Sequence, residues 1–272
     1  MTRLQARFDA LAAAGRKALV PFVTAGDPSL QATVPVLHAL VAAGADALEI
    51  GVPFSDPMAD GPVIQRSSER ALARGAGLEW VLEQVRAFRA ADDATPVVLM
   101  GYLNPVEVRG IEAYARQVAG AGVDGVLLVD LPPEEAGPTR ACFDALGLAL
   151  VPLVAPTTSA ERLPAICAGA RGYVYYVSVA GVTGTRAADA AATAAHLAAV
   201  RAACPLPVLA GFGIRDAATA AGMAAQADGV VVGSALVQAM SGAADPADAA
   251  TRAGAFLAPL RAALDGPNPP LG

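Results

Sequence analysis

The sequence predicts an α/β protein with one (β/α)8 barrel, preceded by an extra N-terminal helix. Eight short apolar segments with strand character alternate with helix-period segments along the 272 residues. Continuous apolar strands that alternate with helices form a parallel sheet covered on its faces. This chain holds eight strand-and-helix units, and its length is close to the ~250 residues of a typical TIM barrel, which favours the closed barrel. An open doubly wound sheet is the alternative, but no G-x-G-x-x-G turn follows the first strand.

A weak internal repeat marks several of the predicted strands. In four copies, a helix end rich in glycine and alanine turns and leads into a short strand, at 42–46, 120–124, 168–172 and 225–228, and three of these copies end in an aspartate, Asp46, Asp124 or Asp228. Glycine favours the left-handed conformation that ends a helix, so the repeat indicates a helix-to-strand connection used several times. The predicted strands are 18–24, 47–52, 96–102, 125–130, 149–154, 173–177, 207–210 and 229–232.

The segments between the strands predict helices within a single domain. At the start of the chain, apolar residues alternate with charged ones, which predicts an amphipathic helix over 1–14 rather than a signal peptide. We predict one domain over 1–265 and a loose tail over 266–272. Proline is favoured at the first position of a helix, so a helix is predicted to begin at Pro62. Helical periodicity also predicts helices over 30–43, 78–90, 106–119 and 190–202.

Composition argues against several classes of function. The net charge of −6 and the sequence pI near 4.9 disfavour nucleic acid or an anionic membrane as a partner. Cys142, Cys167 and Cys204 share no close spacing, so neither a zinc site nor a disulfide framework is indicated. No apolar run reaches the length that spans a membrane. We therefore expect a cytoplasmic protein.

The segment 48–61 carries the strongest functional signal. Glu49 lies late in the second predicted strand, and Asp56 and Asp60 lie in the proline- and glycine-rich loop that follows it. Active sites of (β/α)8 barrels form at the carboxyl ends of the strands, so this layout predicts an active site with a lid. The structural alternatives are an arginine partner for Glu49, a turn at Asp56 and a helix cap at Asp60.

Two further patterns predict what this site binds. Strand alternation places six apolar or aromatic side chains at inward or mouth-facing positions, where they suit a flat apolar ligand: Phe22, Met100, Tyr102, Leu127, Val129 and Tyr175. Glycine-rich turns follow the last three strands, at 181–185, 211–214 and 233–234. Backbone N–H groups in such turns commonly bind phosphate in barrels, and we expect Ser234 to cap the following helix.

The scarcity of lysine and histidine limits the kinds of catalysis that this chain can perform. Lys17 is the only lysine and lies at the amino end of the first strand, so a Schiff-base or pyridoxal mechanism in this chain is disfavoured. His38 and His196 are the only histidines and both fall in helical patterns, which argues against a metal site or a Ser-His-Asp triad. What remains is acid–base catalysis by carboxylates, through Glu49 and Asp60, on a substrate with a phosphate and an apolar body.

At this point the sequence resembles a known family. The segment LEIGVPFSDPMADGPVIQRS (48–67) resembles the signature of the tryptophan synthase α subunit, and the resemblance extends to 21–28, 100–106, 127–135, 175–186 and 209–214. It implies a TIM barrel that cleaves indole-3-glycerol phosphate to indole and glyceraldehyde 3-phosphate, with no cofactor of its own. An indole-glycerol-phosphate synthase is a rival within barrel enzymes, but it needs a lysine at the mouth.

The resemblance also implies roles for individual residues. Glu49 corresponds to the general acid–base group, and Asp60 to the carboxylate that accepts the indole N–H. Thr183 corresponds to a loop residue that holds Asp60, and Tyr175 to an aromatic residue near Glu49. The implied substrate pocket comprises Phe22, Met100, Tyr102, Leu127 and Phe212, and the implied phosphate site comprises Gly184, Gly213, Gly233 and Ser234.

The family works with a partner. The resemblance implies an α2β2 complex with a pyridoxal-phosphate β subunit, which receives the indole for L-tryptophan synthesis. The implied contact surface comprises Pro53, Asp56, Asn104 and Pro132. The alternative is a non-catalytic regulatory barrel that binds and activates a partner subunit. Both Glu49 and Asp60 are present, which argues against that alternative, because an activator needs the contact surface but not the acids.

Overall fold

A computed structural model describes residues 1–177, 186–211 and 213–266, and within 186–191 it describes the backbone only. The described residues form nine parallel strands, twelve α-helices and one 3-10 turn. The strands are β1 (Ala18–Thr24), β2 (Leu48–Gly51), β3 (Val97–Gly101), β4 (Gly125–Leu128), β5 (Ala149–Leu150), β6 (Leu153–Val154), β7 (Val174–Val177), β8 (Val208–Gly211) and β9 (Gly229–Val232). The helices are α1 (Arg3–Ala13), α2 (Thr33–Ala42), α3 (Pro62–Ala73), α4 (Leu78–Arg89), α5 (Leu103–Arg109), α6 (Ile111–Gly120), α7 (Ala136–Ala145), α8 (Leu163–Cys167), α9 (Arg186–Ala203), α10 (Ala217–Ala224), α11 (Ser234–Met240) and α12 (Pro246–Leu264), with the 3-10 turn at Leu30–Ala32.

The sheet closes into the predicted barrel. Its strand order is β5-β4-β3-β2-β1-β9-β8-β7-β6, and β5 and β6 are the two halves of the predicted strand 149–154. Between them, the Val151 N–H donates to the Val126 carbonyl, and the Pro152 carbonyl accepts from the Tyr175 N–H, both at 2.9 Å. Because these bonds join the segment to β4 on one side and β7 on the other, the ring has eight strand positions. Pro152 has no N–H to donate, which is why the strand is interrupted there.

Several predicted boundaries are wrong in detail. The predicted helix 106–119 is two helices, α5 and α6, separated at Gly110, whose φ of 80° ends the first. The first turn of the predicted helix 30–43 is a 3-10 turn. The predicted N-terminal helix and the helix opening at Pro62 are confirmed by α1 and α3. The single domain stays a prediction. Of the predicted tail over 266–272, the residues from 267 onward lie outside the described residues.

Side chains alternate between the barrel interior and the helix layer, as strand geometry requires. In β1, Val20 and Phe22 belong to the interior cluster, whereas Leu19 and Val23 pack with the surrounding helices. Helix α1 covers the amino end of the interior through Leu4, Phe8 and Leu11, all buried in that same cluster. Among the described helices, none combines the length and apolar character that crossing a membrane requires.

The aspartates of the sequence repeat fasten the amino ends of the strands. Each accepts the first free backbone N–H of the preceding strand at 2.9 Å: Asp46 from Leu19, Asp124 from Val97 and Asp228 from Val208. Each also forms an ion pair, with Arg261 at 3.0 Å, Arg89 at 2.7 Å and Arg201 at 2.8 Å respectively. These aspartates therefore have a structural role at the end of the barrel opposite the mouth.

Candidate active site

A cavity of about 480 Å³ opens at the carboxyl ends of the strands. Every strand position, or the loop that follows it, contributes lining residues, so the cavity lies at the mouth of the barrel where this fold places its active sites. The walls are mostly apolar. The charged side chains among the described lining residues are Asp60 and Arg215.

Glu49 lies on the interior face of β2, beside Phe22 of β1 in the sheet register. Its side chain is fully buried, and its Oε1 accepts a hydrogen bond from the Tyr173 hydroxyl. Its Oε2 is buried and has no hydrogen-bond partner among the described residues. Burial disfavours the carboxylate and raises the pKa of Glu49 to about 7, although the Tyr173 bond acts in the opposite direction. A carboxyl group in this state exchanges its proton near neutral pH, which suits a general acid–base group.

Asp60 lies in the loop after β2 and lines the cavity. The Tyr102 hydroxyl donates to its Oδ2 at 2.9 Å and accepts the Ala59 N–H at 3.1 Å. Phe54 stacks on the Tyr102 ring at 4.9 Å, so this tyrosine holds the loop at two points. Burial raises the pKa of Asp60, and the Tyr102 bond partly offsets that effect. Gly61, not Asp60, is the cap of α3, so the structural alternative of a helix cap is wrong.

The predicted substrate pocket is partly assembled around the cavity. Phe22, Met100 and Tyr175 line it, and Val129 does so as well. Leu127 lies deeper, fully buried in the interior cluster, and Tyr102 reaches the site through its bond to Asp60. Phe212 lies outside the described residues.

Part of the predicted phosphate site is present around the cavity. Gly213, Gly233 and Ser234 line the cavity, on the loops after β8 and β9. Gly233 is the cap of α11 and Ser234 is its first residue, so the expectation that Ser234 caps the helix is wrong. Thr183 and Gly184 lie outside the described residues. Within the described ranges, no group of three or more metal-ligating side chains comes together.

Tyr173 is the contact that the sequence interpretation missed. It lies one residue before β7 and shares the inward face with Tyr175, since residues two apart in a strand face the same way. Its ring packs on Phe8 of α1 with a centroid distance of 5.4 Å, which fixes the hydroxyl that bonds Glu49. The strand alternation that predicted an inward-facing Tyr175 also predicts an inward-facing Tyr173. Its depth in the barrel is set by register between strands, which the sequence alone does not give.

Tyr173→Phe is expected to raise the pKa of Glu49 above about 7, because the hydrogen bond it removes stabilises the carboxylate. Infrared titration of the protonated carboxyl band measures this directly. Tyr114→Phe is the matched control, since Tyr114 is also buried but lies on α6. An unchanged or lower midpoint in Tyr173→Phe would contradict the assigned contact.

The predicted partner surface is mostly exposed. Asp56, Asn104 and Pro132 are exposed, whereas Pro53 is buried within the chain. Two large apolar side chains lie on the same two segments as Asp56 and Asn104: Met58 is 86% exposed and Val108 is 80% exposed. The structure does not bring Pro53 to the surface with the other three.

The fold and the site together define a (β/α)8-barrel enzyme whose mouth holds a mostly apolar cavity, with Asp60 in its lining and the Glu49 carboxyl group buried on the interior face of β2. Comparison with known proteins specifies the family: residues 8–264 match the family model described as tryptophan synthase alpha chain. The chain belongs to that family.

Individual relatives are similar along nearly the whole chain. The tryptophan synthase alpha chain of Xanthomonas oryzae pv. oryzae is 64% identical over 266 residues, which cover 97% of this chain and 99% of the relative. The crystal structure of tryptophan synthase subunit alpha from Legionella pneumophila is 45% identical with a TM-score of 0.90, covering 97% of this chain and 99% of that one. A chain of the aminoacrylate-bound form of M. tuberculosis tryptophan synthase is 37% identical with a TM-score of 0.85, covering 97% and 100%.

Proposed function

We propose that this chain cleaves indole-3-glycerol phosphate to indole and glyceraldehyde 3-phosphate, with Glu49 and Asp60 as its catalytic residues. The observation that carries the assignment is the fully buried Glu49 carboxyl, whose pKa near 7 lets it both give and take a proton at neutral pH. The mostly apolar cavity at the mouth of the barrel accommodates a flat aromatic ring. The reaction is a carbon–carbon lyase reaction that begins tryptophan formation from this substrate.

Glu49 moves the protons of the reaction. In its neutral form it donates a proton to C3 of the indole ring, which turns the ring into an iminium-like indolenine. As carboxylate it then takes the proton of the side-chain hydroxyl on the carbon attached to C3. The bond between these carbons breaks, its electron pair returns to the ring, and the hydroxyl carbon becomes the aldehyde. Glu49 ends protonated as it began, so one residue completes the cycle.

Asp60 stabilises the charge that this creates. Protonation at C3 places positive charge on the ring nitrogen, and a carboxylate that accepts the N–H lowers the energy of that state. We assign this bond to Oδ1, since Tyr102 occupies Oδ2. The partly buried position strengthens the interaction, because the effective dielectric constant there is lower than in water.

The phosphate group occupies the wall formed by the loops after β8 and β9. Gly213 has a φ of 74°, a conformation that glycine adopts readily, and it lines the cavity with Gly233 and Ser234. Backbone N–H groups and the Ser234 hydroxyl are donors of the kind that bind phosphate oxygens. Gly184, predicted to join them, belongs to the part of the chain that the structure leaves undescribed.

Membership of the family implies a β-subunit partner. We place the contact on the exposed residues Asp56, Asn104 and Pro132, with Met58 and Val108 as apolar contacts beside them. In this arrangement the complex is an α2β2 tetramer, pyridoxal phosphate belongs to the β subunit, and indole passes to that subunit. The enzyme works in the cytoplasm.

Asp60→Asn is expected to lower indole release by about 10²- to 10³-fold, because the neutral amide cannot offset the charge on the ring nitrogen. Indole release from indole-3-glycerol phosphate should be measured with and without a β subunit. Asp9→Asn is the matched control, on α1 at the far end of the barrel. If the wild type released no indole even with its partner, the lyase assignment would be wrong and the regulatory barrel would replace it.

A further inference from the structure

Arg215 is a cation at the mouth that neither the fold nor the acid–base chemistry explains. It follows Gly213 and Ile214 in the loop after β8, and all three residues line the cavity. It supplies the positive side chain among the described lining residues, and Asp60 supplies the negative one. Lys17, the only lysine of the chain, lies at the amino end of β1 and donates to the Ala227 carbonyl at 2.7 Å.

The Arg215 guanidinium is weakly engaged within the chain. Its side chain is 77% exposed, and its ion pair is with the neighbouring Asp216 at 3.6 Å. Asp216 also caps α10, because its Oδ1 accepts the Thr219 N–H at 2.8 Å, and its Oδ2 is the oxygen that lies 3.6 Å from Arg215, beyond the length of a hydrogen bond. By contrast, Arg70 donates two bonds of 2.8 Å to the buried Asp27. A loosely paired, exposed arginine at the rim retains its donors for a ligand.

The backbone that carries Arg215 is nevertheless held in place. The Thr219 hydroxyl oxygen accepts the backbone N–H groups of Arg215 and Asp216, both at 3.1 Å. These bonds tie the loop to the first turn of α10, whose capping box is complete. The side chain therefore extends from an ordered anchor on the wall that holds Gly213, Gly233 and Ser234.

The position of Arg215 relative to Asp60 matches the charge distribution of a substrate with an N–H at one end and a phosphate at the other. Asp60 follows β2 and Arg215 follows β8, and β1 and β9 lie between these strands in the closed ring. The two charges thus lie on well-separated parts of the rim. The whole chain carries a net charge of −6, so a dianion approaches against an unfavourable field unless a local cation offsets it.

We infer that Arg215 binds and attracts the phosphate group of the substrate, which adds a charged side chain to a site otherwise built from backbone N–H groups and a serine. This inference rests on the proposed function for the identity of the substrate. Arg215 is a binding and specificity residue and takes no part in the bond-breaking step. It favours phosphorylated over unphosphorylated forms of the same indole compound.

Kinetics with three variants test the inference. Arg215→Gln removes the charge, Arg215→Lys keeps it, and Arg116→Gln removes an arginine of α6 that is 63% exposed and away from the cavity. We expect Arg215→Gln to raise the KM for indole-3-glycerol phosphate about tenfold, with kcat within about twofold of the wild type. Arg215→Lys should recover most of the loss, and Arg116→Gln should match the wild type. Because the group is exposed, the KM difference should shrink in high salt.

Direct binding of inorganic phosphate and of indole separates this inference from the proposed function. Calorimetry needs no turnover, so it reports on Arg215 even if the wild type proved unable to cleave the substrate. We expect Arg215→Gln to weaken phosphate binding several-fold and to leave indole binding unchanged. Unchanged phosphate affinity, an equal loss in Arg116→Gln, or a fall in kcat without a rise in KM would each overturn the inference.

Discussion

Glu49→Gln should reduce kcat for indole release by about 10²- to 10⁴-fold, the range that a lost general acid–base group commonly costs. The amide keeps the size of the carboxyl group and accepts the Tyr173 hydrogen bond, but it neither donates a proton to C3 nor takes one from the hydroxyl. The KM should change little, because the cavity walls and the phosphate loops are untouched. Steady-state release of indole from indole-3-glycerol phosphate measures both parameters.

Glu112→Gln provides the matched control for this loss. It is the same chemical change on the exposed surface of α6, where Glu112 pairs with Arg116 at 3.5 Å. We expect it to leave kcat unchanged. A Glu49→Gln enzyme with more than about a tenth of wild-type kcat would contradict the assignment of Glu49 as the proton carrier.

The second large effect of Glu49→Gln is on stability. The folded state raises the pKa of Glu49 from its ordinary value of 4.5 to about 7, so the folded protein holds this proton more tightly than the unfolded chain does. Stability from this group is therefore greatest at low pH and declines as pH rises from about 4.5 to 7. Glutamine carries no such dependence. We expect the variant to exceed the wild type by about 3 kcal/mol in free energy of unfolding near pH 8.

Urea unfolding at a series of pH values tests this expectation. The difference between variant and wild type should be largest above pH 7 and should approach zero near pH 4.5. Glu112→Gln again serves as the control and should show no comparable pH-dependent gain, because that carboxylate is exposed and ion-paired. A variant less stable than the wild type near pH 8 would indicate that burial of the Glu49 carboxylate costs the fold little.

These two effects share one cause. Glu49 occupies an interior position that an apolar residue would fill more favourably, and its second carboxyl oxygen has no partner among the described residues. The same environment that destabilises the carboxylate brings its pKa to the value that proton transfer at neutral pH requires. Activity and stability are therefore opposed at this one residue.

Much of the fold could be predicted from the sequence because its signals are local. The apolar segments that alternate with helix-period segments gave the eight strand positions, and the alternation within β1 placed Phe22 on the interior face as expected. Glu49 and Asp60 could be proposed because a strand followed by a proline- and glycine-rich loop predicts an acid at the carboxyl end of the barrel; the structure places Asp60 in the cavity lining and buries Glu49 on the interior face of β2. The interruption at Pro152 was not predicted, since the apolar pattern over 149–154 is continuous and only the missing N–H marks the break.

Other features depend on contacts between distant parts of the chain. Tyr173 bonds Glu49 across 124 positions of sequence, and its depth follows from strand register rather than from its own segment. Tyr102 was predicted as a pocket wall, yet its hydroxyl holds Asp60. Pro53 was expected at a partner surface, but it is buried within the chain. Arg215 carries no local motif, and only its place in the cavity lining draws attention to it.

Infrared titration of the Glu49 carboxyl in the free enzyme tests the central claim most directly. The band of a protonated, buried carboxyl group should disappear with a midpoint near pH 7 in the wild type and should be missing from Glu49→Gln. That result would establish a group able to donate and accept a proton at neutral pH. A midpoint near the ordinary value of 4.5 would leave Glu49 a fixed carboxylate under working conditions and would contradict the proposed proton cycle.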